Sequence, residues 1–216
     1  NWYEKAEQEK KAVKSYQRIY DLRCKCQGQE HEDALAALHE LATANLRAYN
    51  RTAAKKLYEE AYISRCRVLG EEHADTLSTA HQLADTYRRI SERKKSLEMF
   101  ERVYASRCRV LGMEHPDTLR TLYRMADAYS SEGFTQKSSG NLEEGQWNIK
   151  KATELYKQAY ASMRQVLGEV HGETLLAMHG LRYNYTILGE YAKAIELCEQ
   201  EFKVMLENLG EQHEET

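Results

Sequence analysis

Residues 65–77 read Arg-Cys-Arg-Val-Leu-Gly-Glu-Glu-His-Ala-Asp-Thr-Leu, and residues 107–119 repeat them almost letter for letter as RCRVLGMEHPDTL. A third version, RQVLGEVHGETL, spans 164–175. The kernel, Gly-x-x-His, occurs as Gly28/His31, Gly70/His73, Gly112/His115, Gly168/His171 and Gly210/His213, at steps of 42, 42, 56 and 42. A fixed period of this length marks an array of stacked supersecondary units. The one irregular step is 42 plus an insertion of 14.

Each period reads as two helices. The first begins just after the signature, where Asp75-Thr76, Asp117-Thr118 and Glu173-Thr174 offer side-chain oxygens to the unpaired amides of a first turn. Its apolar residues recur at helical spacing, as in Leu77, Ala80, Leu83, Ala84 and Tyr87. A turn is expected at Ser91, Gly133 and Gly189 in successive units. The second helix then carries Ser96, Phe100, Val103 and Tyr104, and later Val110 and Leu111, towards a glycine suited to a left-handed helix end.

Neither helix of a pair buries its apolar face alone, so neighbouring pairs must stack. The predicted fold is all-α, a right-handed superhelical solenoid of antiparallel helix pairs, first helices on the concave side. It has about four full repeats and partial units at both ends. The expected pieces are a helix at 1–27, repeats at about 32–69, 74–111, 116–167 and 172–209, and a partial repeat at 211–216. All belong to one array over 1–216, read as a segment of a longer polypeptide because it starts at Asn1 and stops within a copy. The insertion, about 135–149 (TQKSSGNLEEGQWNI), is rich in Ser, Gly and charge and is predicted to be a long exposed loop. Trp147 is expected to staple the helix that follows, at Ile149 and Ala152, the alternative being a partner-specific contact on the inserted loop.

Composition narrows the function. Hydrophobic residues make up 42% and charged residues 30%, as in a globular chain, and one proline leaves long helices uninterrupted. The 31 basic and 34 acidic residues are interleaved, which argues against a nucleic-acid partner. No apolar run approaches the roughly 18–20 residues of a spanning helix, so no membrane role is expected. An odd count of five cysteines without a secretory mark points to reduced thiols and a cytoplasmic setting.

Eight histidines divide into two groups. Five belong to the repeated signature, where a residue at every helix start reads as architecture. The others, His39, His81 and His179, share one position in first helices, with Tyr123 in the remaining unit. Units stacked about 10 Å apart cannot bring such residues to the roughly 2 Å a metal ligand requires. No His-x-x-x-His pair, phosphate loop or nucleophile–base set is present. No catalytic residue, cofactor or metal is assigned, and the chain is not read as an enzyme.

The signature VLGxEHxDTL, with Leu83-Ala84 and Met125-Ala126 in first helices and Gly189-Glu190-Tyr191-Ala192-Lys193-Ala194 at the last turn, resembles the 42-residue tetratricopeptide repeats of kinesin light chains and their relatives. The resemblance implies a concave groove that binds an extended peptide or short helix of another protein. Relatives often carry paired asparagines before the central Leu-Ala. Here the pairs are His39-Glu40, His81-Gln82, Tyr123-Arg124 and His179-Gly180, which argues against the acid-flanked Trp motif as ligand.

On the resemblance, His39, His81, Tyr123 and His179 face the groove. Helical spacing adds Thr43, Arg47, Ser78, Asp85, Arg88, Arg89, Arg120, Arg124, Asp127 and Tyr183 to that face. Its arginines suit an acidic peptide. The leading expectation is thus a protein-interaction module, with self-association through the array ends as a further route. The alternative is a regulatory, sensor or autoinhibitory arm of a multidomain signalling protein.

Overall fold

The structure, a computed structural model, describes residues 2–209. The fifth signature, Gly210/His213, and the partial repeat at 211–216 lie outside the described residues, as does Asn1. Among the described residues there are helices and no strands. They are α1 (Trp2–Gln27), α2 (Glu32–Arg47), α3 (Arg51–Leu69), α4 (Ala74–Arg89), α5 (Arg93–Val110), α6 (Pro116–Ser138), α7 (Leu142–Val166), α8 (Gly172–Leu188) and α9 (Tyr191–Leu209). Contacts cluster into two compact units that divide within α5, Asn1–Ser106 and Arg107–Thr216.

Each signature is a helix stop followed by a helix start. Gly70 closes α3 at φ 92°, ψ 159°, extended backbone of positive φ that is beyond the ordinary left-handed region and open to glycine alone. Gly28, Gly112 and Gly168 share the positive φ. The cap that follows is the histidine rather than the acid and threonine after it. In His31, His73, His115 and His171 the imidazole Nδ1 accepts a hydrogen bond at 3.2 Å from the backbone N–H two residues on. The acids at 33, 75, 117 and 173 sit in the first turn, where their charge favours the helix dipole.

In the first unit the core centres on Ala42, Ala54, Tyr58, Leu83 and Tyr87, with Leu46, Leu57, Tyr62, Ile90 and Met99 packed around them. Small residues at 42 and 54 let helix backbones approach while the aromatic rings fill the space between repeats. In the second unit Leu119, Leu122, Met125 and Ala126 of α6 are buried, as are Ile149, Ala152, Tyr156 and Met163 of α7 and Ala177, Met178 and Leu181 of α8.

The insertion is helix, not loop. It is divided evenly: α6 has 23 residues against 16 in α4, and α7 has 25 against 18 in α5. Seven residues are close to two helical turns, so each added piece keeps its face towards the other. The turn lies at Gly140 (φ 91°), in line with Ser91 and Gly189, and Gly133 is buried within α6. There it meets Gly145 of α7 at a backbone crossing, and Asn148 Nδ2 donates to Gln136 Oε1 at 2.6 Å beside it. Composition misled here because glycine that permits close helix packing was read as glycine that breaks a helix. Trp147, inside α7, does not staple a helix start. Its ring meets the edge of Tyr129 at 6.2 Å and it remains 58% exposed.

A second device went unread in the sequence although it repeats there. Arg23, Arg65 and Arg107 lie 42 residues apart, and each donates from Nη1 to the first-turn carbonyl of the next first helix, Asp33, Asp75 or Asp117, at 2.7–2.8 Å. Arg65 and Arg107 also donate to Thr79 and Thr121 Oγ1 at 2.6 and 2.7 Å. Both guanidinia are buried, and burial pulls their pKa values down from the usual arginine range. In the next copy the position is Met163, fully buried. Arg65→Ala is expected to cost about 2 kcal/mol in urea unfolding, since it leaves a carbonyl and a hydroxyl without their charged donor. Arg65→Met, which copies the third unit, should cost less than half as much. Equal losses would show that the clamp acts by bulk alone.

Candidate functional site

The four equivalent first-helix positions are built into the helix pairs. His39 meets Tyr58 edge-on at 5.4 Å, His81 meets Phe100 at 5.4 Å, and Tyr123 meets Tyr156 at 6.0 Å. His81 and Tyr123 retain 6% and 9% of their surface, so they offer a ligand little area. The fourth position differs because Cys198 stands where the others have an aromatic ring. His179 instead shares a hydrogen bond between Nε2 and Glu201 Oε1 at 2.5 Å.

His39 sits at a hub. The single hydrogen of the Thr79 hydroxyl is donated to Asp75 O at 2.9 Å, and its oxygen accepts from Arg65. His39 Nδ1 lies 3.2 Å from that oxygen and therefore carries its proton there and donates. A second proton on this ring would be buried beside Arg65. Burial first, and the Arg65 charge second, push the His39 pKa down to about 4. Thr43 donates to His39 O at 3.0 Å and shares a 2.8 Å bond with the Tyr58 hydroxyl, whose pKa burial raises to about 12.

The charged residues of the face are partly neutralised where they stand. Asp85 is buried, which by itself opposes ionisation, yet Arg88 and Arg89 hold its carboxyl below the usual carboxylate range. Arg88 reaches one oxygen at 2.8 Å and Arg89 the other at 2.6 Å. Arg89 is exposed at the end of α4. Arg47, at the end of α2, is exposed as well. Ser78 is half-buried.

In the second unit Arg120 links Asp117 at 3.0 Å and Glu173 at 2.5 Å, bridging α6 to α8. Arg124 lies 5.2 Å over the Tyr123 ring, and Asp127 accepts from the Tyr156 hydroxyl at 3.4 Å. Tyr183 and Leu176 of α8 are exposed. Among the described residues no group of three or more His, Cys, Asp or Glu side chains is placed to hold a metal ion. No helix there is long and apolar enough to cross a membrane.

Residues 33–109 match the family model for the tetratricopeptide repeat. This stretch therefore consists of tetratricopeptide repeats, a class of helix-pair unit that generally serves protein–protein interaction. Over nearly its whole length the chain is similar to kinesin-light-chain-like repeat proteins. It is 27% identical to a putative kinesin light chain of Podosopora anserina with nearly identical TPR-like repeats, covering 95% of this chain and 91% of that one at a TM-score of 0.76. The Q17M form of that protein gives 26% identity, 96% and 91% coverage and a TM-score of 0.78. BtubC (BKLC) from P. vanneervenii shares the fold, at 14% identity, 99% and 94% coverage and a TM-score of 0.65. No curated protein sequence matches the chain.

Proposed function

We propose that the first-helix faces hold a segment of another protein, and that the segment is acidic. The observation that carries this reading is a pair of exposed arginines at equivalent positions on the face of the first unit. Arg89, which bonds Asp85 at the end of α4, is exposed, and Arg47 stands exposed at the corresponding end of α2. In the second unit Arg124, stacked on Tyr123, and exposed Tyr183 offer a cation and an aromatic contact, the residue types that dominate binding energy at protein interfaces. His39, His81 and His179 shape the face beneath these groups, alongside Thr43, Ser78, Arg120 and Asp127. Binding needs no chemistry beyond desolvation and pairing of charge.

The test is selection from a random-peptide display library on the immobilised chain, followed by affinity measurement of selected peptides. Acid-rich peptides should emerge. Arg47→Glu with Arg89→Glu should weaken them at least about ten-fold, the scale of one lost interfacial charge pair. Trp147→Ala should leave them unchanged. Peptides insensitive to the arginine reversals but lost with Trp147→Ala would move the site to the α6–α7 extension and refute the reading.

A further inference from the structure

Two equivalent places in the chain, 98 residues apart, set the same tyrosine between two lysines and complete it differently. In the first unit Tyr87 has Lys55 Nζ 5.7 Å and Lys95 Nζ 5.6 Å from its ring centroid. Its hydroxyl donates to Glu59 Oε1 at 2.8 Å, and Glu92 accepts from Lys55 at 2.5 Å and from Lys95 at 2.8 Å. There the chain supplies the tyrosine with a carboxylate of its own. Two further residues close the place. Met99 packs against the core around Tyr87, and Arg102 Nη2 donates to the Tyr62 hydroxyl at 3.4 Å.

In the second unit Tyr185 stands for Tyr87, with Lys157 Nζ 5.9 Å and Lys193 Nζ 5.4 Å from its ring centroid. Lys157 takes the position of Glu59, so the residue that accepts the tyrosine proton in the first unit is here a cation. Leu197 replaces Met99 and Gln200 replaces Arg102, each a shorter side chain. Between α7, α8 and α9 this leaves an open cavity of about 290 Å³, walled by Leu181, Leu197, Tyr160 and Tyr185 and lined by both lysines. Each lysine is tied to an acid three residues before it, Lys157 to Glu154 at 2.7 Å and Lys193 to Glu190 at 2.5 Å. Exposed pairs of this kind contribute little, so another anion can displace them. This side of α9 faces back along the array. Its counterparts on α5, Lys95, Met99 and Arg102, meet Tyr87 and Tyr62 on the two preceding helices.

We propose that the cavity between α7, α8 and α9 binds a small monocarboxylate with an apolar body, a ring or a short alkyl chain. The carboxylate fills the place that Glu59 fills in the first unit, accepting from the Tyr185 hydroxyl and from Lys157 Nζ, with Lys193 across the ring. Bonds from a cation to a carboxylate are the strong kind. The apolar body covers Leu181, Leu197 and Tyr160. The volume lies at the lower end for ligand pockets, about 300–1,000 Å³, which limits the guest to roughly one ring and its side chain. Glu196 adds one negative charge to the lining, so a dianion such as phosphate is disfavoured.

NMR titration of the full chain with 3-phenylpropionate tests this. Saturable shifts should appear at Leu181, Tyr185 and Leu197, with a Kd on the order of 1 mM, the scale reached by a ligand of about eleven non-hydrogen atoms. 3-Phenylpropionamide, which has the same shape without the charge, should bind at least about ten-fold more weakly, and so should inorganic phosphate. Lys157→Glu, which copies Glu59, restores the internal acceptor and should weaken the acid by at least about ten-fold. Lys157→Arg should hold it within about three-fold of wild type. If circular dichroism shows Lys157→Glu to be unfolded, Lys193→Gln, at an exposed position, gives the same decision. No saturable shift by about 10 mM, ten times the expected Kd, overturns the proposal. So does equal affinity for acid and amide, which would make the cavity an apolar notch, or a folded Lys157→Glu that binds like wild type. Arg47→Glu with Arg89→Glu should not alter this binding, so this result and that for peptide binding stand or fall separately.

Discussion

Gly145→Ala is expected to destabilise the second unit by about 3 kcal/mol, the upper range for forcing atoms into a packed core. A β-carbon at Gly145 would lie 2.7 Å from Gly133 O, 2.7 Å from Lys137 N and 2.6 Å from Lys137 Cγ. Two of those atoms are backbone, and no rotamer change relieves them. Gly133→Ala meets the reciprocal obstacle, Gly145 O at 2.7 Å and Ile149 Cγ1 at 2.8 Å. The α6 and α7 backbones would have to separate, and the cost would fall on Asn148–Gln136 and on the buried Ile149 and Ala152. For a domain of this size, such a loss lowers the melting temperature by roughly 6–12 °C. Gly172 supplies the control. Nothing lies within 4 Å of a β-carbon there, so Gly172→Ala should be neutral or slightly stabilising. A Gly145→Ala protein melting within 2 °C of wild type, taking about 2 °C as a sub-kcal/mol shift, would disprove the close crossing.

Acidification is expected to act through His39. Its pKa is about 4 in the folded protein against an ordinary 6.5, so the unfolded chain binds the proton more readily. The contribution to stability is complete above pH 6.5 and is lost as pH falls from 6.5 towards 4. The full loss is about 3 kcal/mol, by the conversion of a pKa difference into free energy. The faces around the ring explain the sign: Tyr58 and burial exclude the charged form, Arg65 repels it, and Asp75 opposes them only weakly. Asp85, held below the usual carboxylate range, loses its own contribution at lower pH. His39→Tyr, which copies Tyr123 at the equivalent place, should therefore flatten the stability profile between pH 6.5 and 4. Urea midpoints across that range decide it. Parallel profiles for wild type and variant would rule His39 out as the group that titrates.

How far the sequence could be read follows from these particulars. Period reports where helices start and stop, because the glycine must take a backbone angle and the histidine must cap, and both demands recur at each of the four signatures among the described residues. It also reports which residues share a face. It says nothing of how deep they sit. His39, His81 and Tyr123 are correctly grouped by spacing, but what buries them is Tyr58, Phe100 and Tyr156, partners on another helix. The partner positions recur too, 19 residues on in the first two copies and displaced by the insertion in the third. The arginines at 23, 65 and 107 were equally visible as a repeat. Their role was not, since a carbonyl acceptor leaves no mark in the sequence. Composition alone failed at 135–149, where length arithmetic would have served better: fourteen is twice seven.

That arithmetic has a mechanical consequence. Seven residues add about 10 Å to a helix and turn its face by only about 20°, so growth in matched steps of seven extends a helical hairpin with almost no rotation of its tip. A step of five on each side would swing the new face by well over a quarter turn and break the seam. The pair α6–α7 is thus a telescoping strut whose permitted lengths are discrete. Phe134, Leu142 and Trp147, all exposed, ride on the added section, so a change of one step would move them as a group without disturbing the repeat below.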